Sequence, residues 1–329
     1  MECRFCKKKL TERIFLNDNL YGDKDKFEYF HCVSCGCFQS GDRKIDSQKT
    51  YPKNYYSVKQ NNRIQENKDS IKVSLSKWLQ YKRNSFYIGD FTIIGFILDQ
   101  LKPNLGLRSL KKVTTDTSSS ICDVGCGDGK LLNNLVSMGY KKLYGIDPLI
   151  KSKEEIIEDS HLTFSSDELS EIDQYFDVIM LNHCFEHIED QHKMIDACFN
   201  KLKNSGSLIL RVPLSNSFAQ NIYKENWIQF DAPRHVAILP EKRLLEIFKS
   251  YGFISTKIIY DSTSFQFWGS ECSKKNISLY DSLTGERTRE SIKIEKRWKI
   301  LGALFSKLLN LLRIGDQAVF IFKKDMQID

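Results

Sequence analysis

The segment Ile121-Cys122-Asp123-Val124-Gly125-Cys126-Gly127-Asp128-Gly129-Lys130 constrains this chain most. An apolar run enters a turn with three alternating glycines, and a helical pattern follows over Lys130–Met138. Such a strand–turn–helix lets backbone approach a ligand closely. It also aims helix N–H groups and the positive dipole end at that ligand. The same alternation continues downstream. Strands are expected at Leu143–Ile146, weakly at Leu162–Phe164, and at Phe176–Asn182, Ser207–Val212, Phe253–Tyr260 and Ala318–Phe322. Helices are expected at Asp190–Leu202 and Pro240–Tyr251, with an amphipathic helix or helix pair at Arg289–Leu312. This order predicts an α/β fold with a parallel sheet and helices on both faces.

The turn is not the dinucleotide fingerprint. The third glycine comes one residue early, at Gly129, and Lys130 holds the expected place. Asp123 and Asp128 flank the glycines. They would repel a pyrophosphate but can meet an ammonium group, so the ligand should carry both an amine and a carboxylate. Asp147, in Gly145-Ile146-Asp147-Pro148, closes the second strand where an acidic residue accepts hydrogen bonds from ribose hydroxyls. Ribose joined to an amino-acid end describes S-adenosylmethionine.

The segments DVGCGDG, GIDP, FDVIMLNHCFEH and LKNSGSLILRVP, in this order, resemble the class I S-adenosylmethionine-dependent methyltransferases over about residues 120 to 260 plus the last strand. The resemblance implies a Rossmann-like seven-stranded sheet, with a helical insertion at about 262–314 between the last two strands. It implies that Asp123, Gly125, Gly127 and Asp128, with Cys126 beside them, hold the methionine end. Asp147, with Pro148, would hold the ribose, and Ser166 and Asp167 the adenine. Asn182, at the end of the fourth strand, joins the same cofactor set.

Directly after that strand comes His183-Cys184-Phe185-Glu186-His187, and His235 follows in the run WIQFDAPRH. A helical turn here would put His183, Glu186 and His187 on one face. Three readings stay open. His183 or His235 acts as general base on a substrate hydroxyl. His183, Glu186, His187 and His235 bind a second divalent metal, a spacing similar to the E-x-x-E-H…H site of small-RNA 2′-O-methyltransferases, with histidine replacing the first glutamate. Or Glu186 and His187 only cap a helix. Trp227, Phe230, Pro233 and Arg234 are expected to cover the substrate, with an aromatic stacking on a ring and Arg234 holding an anionic group, unless they form a packed loop.

Two C-x-x-C pairs, Cys3/Cys6 and Cys32/Cys35, predict a closed tetrahedral zinc site in a small zinc-ribbon-like module over residues 1–45, with His31 and Cys37 as substitute ligands. Such a module before this methyltransferase pattern is similar to bacterial polysaccharide and deoxysugar methyltransferases, as are YPKNYYS and WIQFDAPRH. The C-methyltransferases of that group carry a further C-terminal domain, so O-methylation of a nucleotide- or lipid-linked sugar is the expectation. The alternatives are an RNA or other small-molecule O-methyltransferase and a non-catalytic zinc-bearing adaptor.

Residues 46–119 read as a linker and helices leading into a 120–329 methyltransferase domain. The formal net charge of +7 is spread along the chain, and no long basic stripe favours nucleic acid. No secretory signal and no membrane-length apolar run is present, so the expected location is cytoplasmic. The stretch Trp298–Leu312 is expected to pack in the core or in a dimer, with a membrane surface as the alternative.

Overall fold

The computed structural model describes residues 1–22, 25–41, 71–113, 115–157, 159–282 and 284–325. The YPKNYYS stretch lies outside them. Twelve strands among the described residues form two sheets.

The smaller sheet takes β1 (Glu12–Asn17), β2 (Lys26–His31), β3 (Phe38–Ser40) and β10 (Ala237–Ile238) in the order β1-β2-β3-β10. All three pairings are antiparallel. Its core includes Leu16, Tyr29, Phe38, Trp227, Phe230 and Ile238.

The larger sheet takes β4 (Ser120–Val124), β5 (Lys142–Ile146), β6 (Lys153–Ile157), β7 (Ser160–Ser165), β8 (Phe176–Asn182), β9 (Leu202–Pro213), β11 (Phe253–Tyr260) and β12 (Gln317–Lys324). Their order is β11-β12-β9-β8-β4-β5-β7-β6. Strands β4, β5, β7 and β8 pair in parallel. All five residues of β4 are buried, which fits a strand covered on both faces. The strands after β4 run outward through β5 and β7, then resume on its other side with β8. That reversal creates the crevice where open α/β sheets bind ligands.

Among the described residues this sheet has eight strands where the sequence predicts seven. The additional one is β6, an edge strand antiparallel to β7. Its sequence, KEEII, alternates too little to be seen as a strand, and it is held by pairing with β7 rather than by a buried face. Three helices lie between β11 and β12: Phe265–Lys274, Arg289–Trp298 and Leu301–Leu311.

By packing, one unit comprises Met1–Tyr56, His183–Ile195 and Arg211–Phe320, and the other comprises Ser57–Asn182, Asp196–Leu210 and Ile321–Asp329. The fourth strand of the cysteine-bearing sheet comes from far along the chain, which local sequence patterning cannot reveal.

Among the described residues, no helix is long and apolar enough to cross a membrane.

Candidate active site

The glycine turn after β4 is built as its sequence requires. Gly125 and Gly127 have φ of 76° and 53°, a region that side chains with a Cβ avoid. Gly125 and Cys126 both donate their N–H to the Ile146 carbonyl, at 2.7 and 3.2 Å. This ties the turn to the end of β5. Asp147 completes the tie: its Oδ2 accepts from Gly127 N–H and its Oδ1 from Leu149 N–H, each at 2.9 Å. Asp128 Oδ1 accepts from Lys130 N–H at 3.1 Å, at the start of the helix Lys130–Ser137. Both carboxylates thus order the turn, and each retains lone pairs for a ligand.

Asp123 is 4% exposed, and burial together with the Asp147 charge pushes its carboxyl up to about 7. The nearby Asn182 amide pulls it back in part, without closing a well-formed hydrogen bond. Asn182 Oδ1 and Nδ2 are both buried without a hydrogen-bond partner among the described residues. A buried amide with neither end satisfied is costly, and a bound ligand with matching polar groups would relieve it.

Ser166 and Asp167 follow β7. Asp167 Oδ2 accepts from Ser165 Oγ at 2.7 Å, and Ser166 N–H donates to Ser152 Oγ at 3.1 Å. Pro148 follows Asp147 directly. Asp123, Gly125, Cys126, Gly127, Asp128, Asp147 and Asn182 lie at or just beyond the carboxyl ends of β4, β5 and β8.

The histidine cluster differs from expectation. His183 sits at φ 52°, a strained conformation for a residue with a Cβ, held by its N–H donating to the Arg211 carbonyl at 2.9 Å. The expected helical turn is a single 3-10 turn at Phe185–His187. His183 Nδ1 lies 3.0 Å from Glu186 Oε1; the histidine side chain is 31% exposed and the glutamate 1%. Burial would raise the Glu186 carboxyl, but His183, His235 and His187 hold it down at about 2. Burial, aided by the His235 charge, lowers His187 to about 4.

Ligand atoms of Glu186, His187 and His235 lie within 4.8 Å of one another, and His183 is outside this group. Three of the four residues named as candidate ligands are thus brought together. His187 Nδ1–H donates to the Arg234 carbonyl at 3.1 Å and His235 Nδ1–H to the Gln229 carbonyl at 2.7 Å. A carbonyl only accepts, so both tautomers are fixed. His235 Nε2 then points to Glu186 Oε1 at 3.9 Å and Asp231 Oδ2 at 3.8 Å. Asp231 is absent from the sequence-predicted set, although its place four residues before His235 could have marked it.

The WIQFDAPRH run is core, not a substrate cover. Trp227 and Phe230 are 0% and 2% exposed, and Trp227 Nε1–H donates to Asp316 Oδ2 at 3.2 Å. Arg234 is not available for an anionic substrate. Its guanidinium is buried and bonded to Asp18 and Asp231, which hold its pKa high against the effect of burial.

Cys3, Cys6, Cys32 and Cys35 converge, with Sγ separations of 3.6 Å for Cys3–Cys35 and 3.5 Å for Cys6–Cys32. A tetrahedral zinc with bonds of about 2.3 Å implies sulfur separations of about 3.8 Å. The residues after each pair, Lys7 and Gly36, both have positive φ, at 58° and 74°, so the two knuckles turn alike. His31 Nδ1 is 2.6 Å from Glu12 Oε2, and Cys37 is fully buried with its Sγ on the Phe38 carbonyl. Neither belongs to the four-sulfur group.

Residues 98–257 match the family described as "Methyltransferase domain". No curated protein matches the chain. Among solved structures, the chain is similar to the cyclopropane synthase MmaA2 from Mycobacterium tuberculosis at 15% identity and a TM-score of 0.42, over 74% of this chain and 94% of that one. It is also similar to magnesium protoporphyrin IX methyltransferase (ChlM) from Synechocystis PCC 6803 with bound SAH, at 14% identity and a TM-score of 0.41, over 77% and 99%. A SAM dependent methyltransferase from Archaeoglobus fulgidus gives 18% identity and a TM-score of 0.39, over 78% and 100%. Residues 98–257 thus match a methyltransferase-domain family, and the larger sheet has the doubly wound α/β strand order.

Proposed function

We propose that this enzyme O-methylates a sugar or sugar-containing precursor, with His183 as the general base. The observation that carries the base assignment is the His183–Glu186 pair. A buried carboxylate fixes one imidazole nitrogen of a residue that remains partly exposed. With Nδ1 directed at Glu186, Nε2 is the nitrogen left to take a hydroxyl proton, and Glu186 stabilises the imidazolium that results. S-adenosylmethionine supplies an electrophilic methyl on a sulfonium, so the protein has mainly to align the acceptor and deprotonate it. Asp123 and Asp128 suit the ammonium end, Asp147 the ribose, Asn182 an adjacent polar group, and Ser166 and Asp167 the base. The sugar class rests on the likeness of the four-cysteine N-terminal segment and the downstream motifs to sugar methyltransferases. In this reading Cys3, Cys6, Cys32 and Cys35 hold a structural zinc that braces the small sheet.

A second reading is favoured by one observation: Glu186 Oε2 is buried without a hydrogen-bond partner among the described residues. Glu186, His187 and His235 then bind a divalent cation that lowers the acceptor hydroxyl's pKa.

The test combines calorimetry with S-adenosylmethionine and turnover on nucleotide- and lipid-linked sugars. His183→Ala should lower kcat by about 100-fold or more with little change in cofactor affinity. Wild-type kcat in that variant removes His183 as base. Loss of turnover on chelation, restored by a divalent cation while the cysteine-bound zinc stays in place, selects the second reading. Folded protein that binds cofactor but methylates no sugar overturns the substrate class.

A further inference from the structure

The helix Leu301–Leu311 is packed with its smaller residues inward. Gly302, Ser306 and Leu309 are buried, while Ile300, Leu301, Leu304, Leu308, Leu311 and Leu312 are 48–80% exposed. The inward face is a close fit. Ser306 Oγ accepts from Gln266 Nε2 at 2.9 Å and donates to the Gly302 carbonyl at 2.7 Å. A Cβ on Gly302 would come within 3.1 Å of Ser264 and 3.2 Å of Trp298. Leu309 and Phe305 pack inward, Phe305 against Phe267 and Phe218, but most of the helix's large side chains do not join the core of its own unit. The helix holds these outward as a continuous apolar stripe, and a stripe of this kind marks an interaction site.

Along the chain, the charges that flank and interrupt the stripe are of one sign. Lys296, Arg297, Lys299 and Lys307 are exposed, and no acidic residue occurs from Lys296 to Gly315. Arg313 adds a further cation, paired with Glu241. A two-fold contact with a second copy would bring the same patch against itself and oppose these cations. An anionic bilayer surface instead offers acyl chains to the leucines and headgroup charge to the lysines, the pattern of a helix that lies in the interface.

We propose that Leu301–Leu311, with the basic residues preceding it, docks this protein on the surface of an anionic membrane. The docking is peripheral and uses a face formed before contact. It needs neither cofactor nor acceptor, so it stands apart from the methyl-transfer reading.

The experiment is flotation of the full-length protein with vesicles of phosphatidylcholine alone or mixed with phosphatidylglycerol. Binding is expected to the mixed vesicles and to weaken as salt is added. Leu304→Asp together with Leu308→Asp should weaken it by at least about tenfold, as loss of two inserted leucines implies. Lys299→Glu with Lys307→Glu, at two wholly surface positions, should weaken binding to mixed vesicles while leaving thermal melting and cofactor binding unchanged. Absence of wild-type binding to the mixed vesicles overturns the proposal. So does a wild-type dimer in sedimentation that the leucine variant splits while vesicle binding is unaffected.

Discussion

Arg234 clamps Asp18 from 216 residues away: Nη1 and Nη2 donate to the two carboxylate oxygens at 3.0 and 2.6 Å. Arg234 is 1% exposed and Asp18 7%. Asp231 takes Nε and Nη2 at 2.9 and 2.7 Å, so the guanidinium lies between two carboxylates. Removing one partner of such a buried group leaves uncompensated charge. Asp18→Ala is expected to cost about 3–5 kcal/mol in urea unfolding. Asp18→Leu combined with Arg234→Met should cost less than that single change. A shift within about 0.5 kcal/mol for Asp18→Ala would show that the clamp carries no stability.

With Asp123 at the ammonium end of the cofactor, as proposed, cofactor binding is expected to depend on pH. Its folded-state pKa is raised from 3.8 to about 7, chiefly by burial. Between those values the folded protein holds a proton that the unfolded chain has lost. Stability of the cofactor-free protein therefore falls as pH rises through this window. A ligand with an ammonium group favours the carboxylate, so its binding should release protons below pH ~7 and strengthen by up to about tenfold per pH unit. Calorimetry in buffers of different ionisation enthalpy measures the release. Asp123→Asn should abolish its pH dependence; proton release unchanged in that variant places the titration elsewhere.

Asp316 is a stability liability of the same sign. Burial raises it from 3.8 to about 6, while the hydrogen bonds from Ser262 and Trp227 oppose the rise. Asp316→Asn keeps an acceptor for Trp227 and removes the buried charge. The variant should be more stable than wild type by on the order of 2–3 kcal/mol above about pH 6, with the gain vanishing below pH ~4. Equal unfolding midpoints for the two proteins at every pH would contradict this.

Zinc should be stoichiometric with the chain and needed for the small sheet. Strand β3 has three residues and β10 two, too little pairing to hold the sheet without a staple. Cys32→Ser, or a strong chelator, should release the metal and lower the melting temperature. Elemental analysis with a melting curve on the same sample checks both. A zinc-free protein with unchanged melting would remove the metal from the structural account.

Short-range features are legible in the sequence. The turn at Gly125–Gly129, the β4, β5 and β8 strands and the two cysteine knuckles each depend on residues within a few positions of one another. Residues with distant partners mislead. Trp227 and Arg234 look like substrate-facing groups until Asp316 and Asp18 are found beside them. His183 and His235 look equivalent as candidate bases, yet one is partly exposed and the other buried against Gln229. The apolar period of Leu301–Leu311 is visible, but period alone cannot tell which face a helix turns inward.

The pairing of Phe38 with Ile238 and of Gln39 with Ala237 has a consequence for biogenesis. At synthesis rates of about 5–20 residues per second, strand β3 leaves the ribosome some 10–40 seconds before β10 exists. Throughout that interval the nascent chain carries an open strand edge beside four cysteine thiols. Early metal capture by those thiols would keep the edge ordered and shield it from oxidation and wrong pairing until its own last strand arrives.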